Sequence, residues 1–343
     1  MAEDGDAGFA LRAGILKRDG HRCVVCSVPA DEVLHVFCER LWDDNPDFAD
    51  NLVTLCSAHK EDALTTRLDV EDILTAAGIG ERPVPPQLHA VERYDRWGNV
   101  LLSDGRRARG ELFFDEQARH WLEIGDMLQC FTPFVKYPRT FVLPWSDVVG
   151  VGDRLLASLA PLENGPVIAT EKMDGENVSL YRDFLHTRTV SRIPHESRIW
   201  LDGFWERVRW QIPEDWRVCG EYLFVRHTVG YRALPSYFMA FSVWNEKNVC
   251  LGWPATCAFL DRAGIARVPL LYEGPLCRDA IDRAWRESGT SGSEGYILRS
   301  AGRFALCDFR RLTGKFIRAG YQQSEPVKDN MRTGSTFEVN ALE

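Results

Sequence analysis

No apolar stretch of the chain approaches the ~20 residues that a membrane-spanning helix needs. The amino-terminal MAEDGDAGFA has no basic flank leading into an apolar core, so it does not read as a secretory signal. These two absences predict a cytoplasmic protein. Repeats and low-complexity tracts are also missing. Glycine and proline, 27 and 17 of 343 residues, are too few for a collagen-like or mostly disordered chain. Without a signal, ten irregularly spaced cysteines point to thiols and metal ligands rather than to a disulfide framework. Six of them, Cys130, Cys219, Cys250, Cys257, Cys277 and Cys307, stand singly among apolar residues and are expected to be packed thiols. What is present, 45% hydrophobic and 27% charged residues, is the composition of a globular protein. The length predicts two domains, or two plus a small module.

The net charge of −9 is unevenly placed. Residues 1–90 hold 17 Asp/Glu against 8 Lys/Arg, whereas residues 91–343 hold 33 of each. Local potential, not the total, decides nucleic-acid binding. Residues 296–332 carry eight Lys/Arg and three Asp/Glu, a basic stretch whose plainest reading is a solvated face.

The pattern along the chain divides it into three. Residues 1–82 begin with an amphipathic helix, Phe9 to Lys17, followed by the RDGHRC turn, and end near the Pro-rich RPVPPQ linker. Residues 88–135 read as a small β-rich segment with turns at DRWGN and SDGR. In 136–343, VIATEK, VSLYRD, FLHTRTV, WRVCGEYLF, YFMAFSVW, VCLGW, EGYILR and FALCDF read as strands, and SRIWLDGFWERVRWQI and PATCAFLDRAG as helices. Strands outnumber helices and are often sequence neighbours, which favours an antiparallel α+β fold over a doubly wound sheet.

Cys23-Val-Val-Cys26 is followed by Cys56-Ser-Ala-His59. Two such pairs have the spacing of a closed, tetrahedral structural Zn2+ site; the plainer alternative is two chance pairs of buried thiols. The surrounding LKRDGHRCVVC, LHVF and DNLVTLCSAH resemble the HNH endonuclease family, a ββα fold on a zinc-bound treble clef. That resemblance implies His35 as general base and Asn51 as the residue that orients it. It puts a further metal-binding His where this chain has Lys60, and a cation there repels Mg2+. A zinc-stabilised docking module is therefore expected over an active nuclease.

The sharpest feature is Glu171-Lys172-Met173-Asp174-Gly175-Glu176-Asn177. K-x-D-G alone is a common turn with a solvated lysine. Here it is followed in order by GEYLF from Gly220, AFSVWN from Ala240, EGYILR from Glu294 and GKFIR from Gly314. Together these resemble the covalent nucleotidyltransferases, the DNA and RNA ligases and mRNA capping enzymes. Asn177, and Lys136-Tyr-Pro-Arg-Thr-Phe-Val-Leu-Pro-Trp-Ser146 ahead of the lysine, resemble the ATP-dependent RNA ligases most. A small bacterial branch with an HNH-like zinc segment and a DRWGN and RGELF segment is the nearest pattern.

The resemblance implies an antiparallel-sheet adenylation domain in 136–343. It implies an enzyme that joins 3′-hydroxyl and 5′-phosphate ends through lysyl-AMP on Lys172 and an adenylylated 5′ end. The amine must be unprotonated to attack phosphorus, and a free lysine near pKa 10.4 rarely is at neutral pH, so burial and nearby cations or metal are expected around it. Carried over by motif, Glu221 holds the ribose or adenine side, Phe241 stacks on adenine, Glu294 holds Mg2+ (or Mn2+) through water, and Lys315 neutralises the α-phosphate. Glu171 and Asn177 join the nucleotide contacts. Arg188 takes a 5′-phosphate, and Arg192 and Arg198 are further phosphate candidates. Asp174 tightens the turn. Only one lysine stands in Thr313-Gly-Lys315, where relatives often have two. The implied partners are RNA or RNA/DNA ends, a nicked duplex foremost. A DNA ligase, a GTP-using guanylyltransferase and a nonenzymatic nucleic-acid binding module remain alternatives.

Overall fold

A computed structural model describes residues 4–42, 44–80, 84–85, 88, 93–150, 153–188, 190, 195–289, 292–321 and 337–343, with side chains from Gly8 onward. The chain divides into two compact units, Met1–Lys136 and Tyr137–Glu343. Most of the Pro-rich stretch at 82–87 lies outside the described residues. Among the described residues no helix is long and apolar enough to cross a membrane.

In the first unit, helix α1 (Asp4–Arg18) packs Ile15 against Val33 and Leu52. These two belong to an antiparallel pair, β1 (Glu32–His35) and β2 (Leu52–Leu55). Helix α2 (Ser57–Leu64) follows β2 directly, giving a ββα order, and α3 (Val70–Ala76) comes next. Strands β3 (Arg93–Tyr94), β4 (Val100–Leu101), β5 (Arg107–Arg109) and β6 (Phe131–Val135) form a four-stranded sheet in chain order. Its centre explains why DRWGN and RGELF occur together. The buried Asp95 carboxylate accepts from the Trp97 and Asn99 backbone N–H groups, from the Asn99 amide and from Arg107 at 2.8 Å. Asn99 Oδ1 in turn accepts the Gly110 N–H at 2.8 Å. The segment expected to be β-rich also contains a helix, α4 (Glu116–Ile124). Its signal is a cap, with Asp115 accepting the N–H groups of Gln117 and Ala118.

The second unit is built on two sheets. Its elements are β7 (Phe141–Val142), α5 (Ala160–Glu163), β8 (Val167–Lys172), β9 (Glu176–Leu180), β10 (Leu185–Thr187), α6 (Ile199–Val208), β11 (Arg217–Tyr222), β12 (Phe238–Trp244), β13 (Val249–Cys250), α7 (Trp253–Ala263), β14 (Leu270–Gly274), α8 (Arg278–Glu287), β15 (Gly295–Ser300), β16 (Phe304–Ala305) and β17 (Thr313–Ile317). One sheet has the order β10-β9-β11-β12-β13-β16, the other β14-β8-β15-β17-β7. All pairings are antiparallel except β17 with β7. The α+β fold expected from the sequence is the fold observed. FALCDF, however, is a strand for two residues only and then a helical turn. Helix α8, absent from the helices read from the sequence, buries Ile281 and Trp285, one helical step apart, on its sheet-facing side.

Each sheet buries one face under helices. Leu201, Phe204, Trp205 and Val208 of α6 and Phe259 and Leu260 of α7 pack on Val178, Leu180, Val218, Tyr222, Phe238 and Val243. Ile281 and Trp285 of α8 pack on Val167, Ala169, Tyr296, Leu298 and Phe316. Alternation then sends the intervening side chains to the opposite faces. Phe304, Phe309, Phe316 and Tyr321 are all buried. Of the six cysteines expected to be packed, Cys219 and Cys250 are buried and Cys130 and Cys257 half-buried, but Cys277 and Cys307 are exposed. Those two sit at a helix cap and in a helical turn, not on strands.

Candidate active site

Thr170 and Lys172 of β8, Ile297 and Arg299 of β15, and Thr313, Lys315 and Ile317 of β17 alternate with the α8-facing residues and line a cavity of about 640 Å3. Asn177 of β9, Glu221 of β11 and Phe241 of β12 line the same cavity from the other sheet, and Tyr137, Arg139 and Asp153 complete its wall. The volume lies within the roughly 300–1,000 Å3 of small-molecule pockets.

The register explains which groups meet. Lys172 pairs with Gly295 across β8 and β15, and Ile297 pairs with Lys315 across β15 and β17. Glu294, one residue before Gly295, therefore stands beside Lys172, and its carboxylate contacts the amine Nζ. Two motif glycines are there for close approach. A Cβ on Gly175 would lie 2.5 Å from the Tyr222 carbonyl oxygen, and one on Gly295 would lie 2.0 Å from that of Phe316.

Lys315 donates to both Asp153 oxygens, at 2.7 and 2.8 Å. Burial pulls the Lys315 pKa below the usual lysine value against the opposing pull of Asp153. Asp153 was not foreseen, because nothing in VVGVGDR marks an acid that reaches β17. Burial also acts on the carboxylates. It raises Glu294 despite the Lys172 and Lys315 charges, raises Glu171 to about 7, and raises Glu221 to about 8, helped by Glu294 and Asp174 and opposed by Lys172.

A stability prediction follows from Glu221. Below its ordinary value of 4.5 the carboxyl is protonated folded or unfolded, and no penalty exists. Between 4.5 and about 8 the unfolded chain releases the proton while the folded chain keeps it, so stability falls as pH rises through this window. Glu221→Gln should flatten that decline. Melting temperatures from pH 5 to 9 should converge at the acid end and favour the variant by several degrees at the alkaline end.

Asp174 is buried and does not reach Lys172 by a hydrogen bond. Its carboxylate accepts from the Val229 N–H at 2.7 Å and from the Tyr321 hydroxyl at 2.9 Å, and its own N–H donates to the Tyr231 hydroxyl at 2.8 Å. Glu171, Asn177, Arg188, Glu221 and Phe241 are all in the cavity wall, with the Phe241 ring edge-on to Tyr137 at 5.2 Å. Arg198 is not. It is buried and bonded to Glu176 at 2.6 Å, outside the residues that line the cavity. Arg192 lies outside the described residues, as do residues 322–332 of the basic stretch. The rest of that stretch is not one solvated face, since Arg299 and Arg310 are buried, and Arg299 donates to the Cys250 sulfur at 2.9 Å.

In the first unit the donor atoms of Cys23, Cys26, Cys56 and His59 lie within 4.8 Å of one another. Cys26 and Cys56 sulfurs are 3.8 Å apart, and His59 Nδ1 is 3.4 and 3.3 Å from the sulfurs of Cys23 and Cys56. Ligands about 2.3 Å from a tetrahedral Zn2+ stand about 3.8 Å from each other, so the four fit one metal ion. Cys56 caps α2, which puts His59 one turn on and on the same side. Burial pushes the Cys23 thiol up, but backbone N–H groups of Cys56, Cys26 and Val25 outweigh it and bring it down to about 6, which favours the thiolate. His35 ends β1 and bonds Asp47 at 2.8 Å, Asn51 is buried, and Lys60 pairs with Glu32.

Residues 165–317 match the RNA ligase family model. Lys172, Asp174, Glu221, Phe241, Glu294 and Lys315 all fall within the matched segment, which takes up just under half of the chain. Solved structures similar to it include an archaeal ATP-dependent RNA ligase, 19% identical over 54% of this chain and 48% of that one, with a TM-score of 0.39. A protein from Aquifex aeolicus assigned as an ATP-dependent DNA ligase is 16% identical over 54% and 50%, with a TM-score of 0.37. A lysine-to-alanine variant of Naegleria gruberi RNA ligase with ATP and Mn is 14% identical over 53% and 60%, with a TM-score of 0.38. The chain spans about half the length of the solved structures it matches. No curated protein matches it.

Proposed function

We propose that the chain is an ATP-dependent RNA ligase that joins a 3′-hydroxyl to a 5′-phosphate through lysyl-AMP on Lys172. The observation that carries this reading is the convergence of five separated sequence elements on one cavity, with Lys172 of β8 held against Glu294 at the start of β15 and Lys315 on β17, the next strand beyond β15. In the first step the Lys172 amine bonds to the α-phosphorus of ATP and pyrophosphate leaves. The Glu294 carboxylate, made more basic by burial, stands ready for the proton that Nζ loses. Lys315 offsets charge on the α-phosphate, and Phe241, Glu221, Asn177 and Glu171 hold the nucleoside. The 5′-phosphate, steered by Arg188, then takes AMP from Lys172, and attack by the 3′-hydroxyl closes the bond and releases AMP. Glu294 would hold Mg2+ (or Mn2+) through water, which supplies positive charge at the phosphates.

The substrate reading is RNA or RNA/DNA ends in a nicked duplex. Zn2+ on Cys23, Cys26, Cys56 and His59 stabilises an HNH-like docking module within 1–82, and residues 88–135 and 136–343 are read as a β-rich segment and the catalytic domain. Purified protein given ATP, Mg2+ and a panel of matched RNA, DNA and mixed nicks should seal those with an RNA 3′-hydroxyl strand fastest. Preference for all-DNA nicks would make it a DNA ligase. Labelling by GTP and not ATP would make it a guanylyltransferase.

A further inference from the structure

The C-terminal segment 337–343 folds back on the 223–234 loop of the second unit. Phe224 and Leu234 carbonyls accept the Asn340 and Glu343 N–H groups at 3.1 Å each, and the Leu234 N–H donates to the Ala341 carbonyl at 3.0 Å. At the centre is Asn340, only 3% exposed. Its Oδ1 accepts the Tyr231 N–H at 2.8 Å, its Nδ2 donates to the Leu223 carbonyl at 2.7 Å, and its own carbonyl accepts the Tyr237 hydroxyl at 2.9 Å. The Ala341 N–H donates back to the Tyr231 carbonyl at 3.0 Å, so both backbone groups of Tyr231 are tied to the segment.

Tyr231 carries that attachment to the catalytic turn. Its hydroxyl accepts the Asp174 N–H at 2.8 Å, and the Val229 N–H two residues earlier reaches the Asp174 carboxylate at 2.7 Å. Asp174 is two residues from Lys172. We propose that Asn340 is a positioning residue for the lysine: segment 337–343 straps the 223–234 loop, and that loop holds the Lys172–Gly175 turn in the geometry of attack. The proposal rests on the ligase reading for its kinetics, but its structural part does not.

Removing the Asn340 side chain leaves the Leu223 carbonyl and the Tyr231 N–H buried without partners, so the loop must shift to satisfy them. A nucleophile displaced by a fraction of an ångström loses rate while the nucleotide pocket stays intact. Asn340→Ala and Tyr231→Phe, each in the full chain, are the test. The second removes one hydroxyl and keeps the ring. Both should slow lysyl-AMP formation, Tyr231→Phe three- to tenfold and Asn340→Ala more, with the KM for ATP within twofold of wild type. Sealing of a strand supplied already adenylylated should change less than lysyl-AMP formation. Hydrogen exchange of the 172–176 amides in nucleotide-free protein should quicken in both variants. Unchanged rates with unchanged exchange would overturn the strap, as would a KM increase without a rate loss. Equal losses in both chemical steps, tracking a lower melting temperature, would reduce Asn340 to a structural residue. A wild type that takes up no AMP at all would sink the ligase reading instead, and the exchange comparison would still decide the strap.

Discussion

Lys172→Ala should take up no nucleotide when incubated with α-labelled ATP and Mg2+, under conditions that label the wild type. Alanine offers no atom to bond to phosphorus, so the loss is complete rather than graded. The same variant should still seal a strand that is supplied with AMP already on its 5′ end, within about tenfold of wild type. In that last step the lysine is a charge near the site and not the nucleophile, and one lost charge–phosphate contact is worth about 1.4 kcal/mol. This pairing separates a chemical role from damage to the fold. Lys172 faces the cavity from the last position of β8, and Val167 and Ala169 hold that strand on its other face, so truncating the lysine leaves the packing intact. An equally labelled Lys172→Ala protein would end the assignment.

The second large effect is expected in the first unit. Cys56→Ser should lower bound zinc from about one ion per chain to near none, and amides across residues 15–64 should lose most of their exchange protection. Ile15, Val33 and Leu52 form the buried cluster that α1 shares with the β1–β2 pair, and the four donor residues join the Cys23–Cys26 turn to the first turn of α2. Structural Zn2+ contributes on the order of 10–16 kcal/mol of binding free energy in zinc-finger peptides, and a site made of folded parts returns it as folding energy. Elemental analysis and hydrogen exchange read the two halves of this expectation. Protein purified with full protection and no zinc would show that the four residues are a thiol cluster and nothing more.

Much of the site was legible because its parts are local. Lys172 to Asn177, Gly220 to Tyr222, Glu294 to Leu298 and Gly314 to Phe316 are short runs in which a glycine is imposed by the close approach of a neighbouring backbone or side chain and a charged residue follows from chemistry. The zinc ligands are legible for the same reason, as two tight pairs. What the sequence hides is anything delivered from a distance with no motif of its own. Asp153 reaches Lys315 from 162 positions away, and Asn340 reaches Tyr231 from 109. The pairing of Arg198 with Glu176 was likewise hidden, since nothing in the sequence joins the two. Helices α4 and α8 went unread although both are amphipathic, with Ala118 and Leu122, and Ile281 and Trp285, on their buried sides. Most strands of the second unit were legible as short apolar runs, but β7, β14 and β17 were not among them.

The ligase reading of the second unit depends on AMP passing from ATP through Lys172 to a nucleic-acid end. The direct measurement is a chase. Protein–AMP formed with labelled ATP is freed of nucleotide, mapped by peptide mass spectrometry, and mixed with a nicked duplex bearing a 5′-phosphate. The account predicts that the label sits on Lys172 and moves to the 5′ end of the strand, then appears as free AMP as the nick closes. Label on another residue, or label on Lys172 that leaves only when pyrophosphate is added and never reaches the strand, would contradict it.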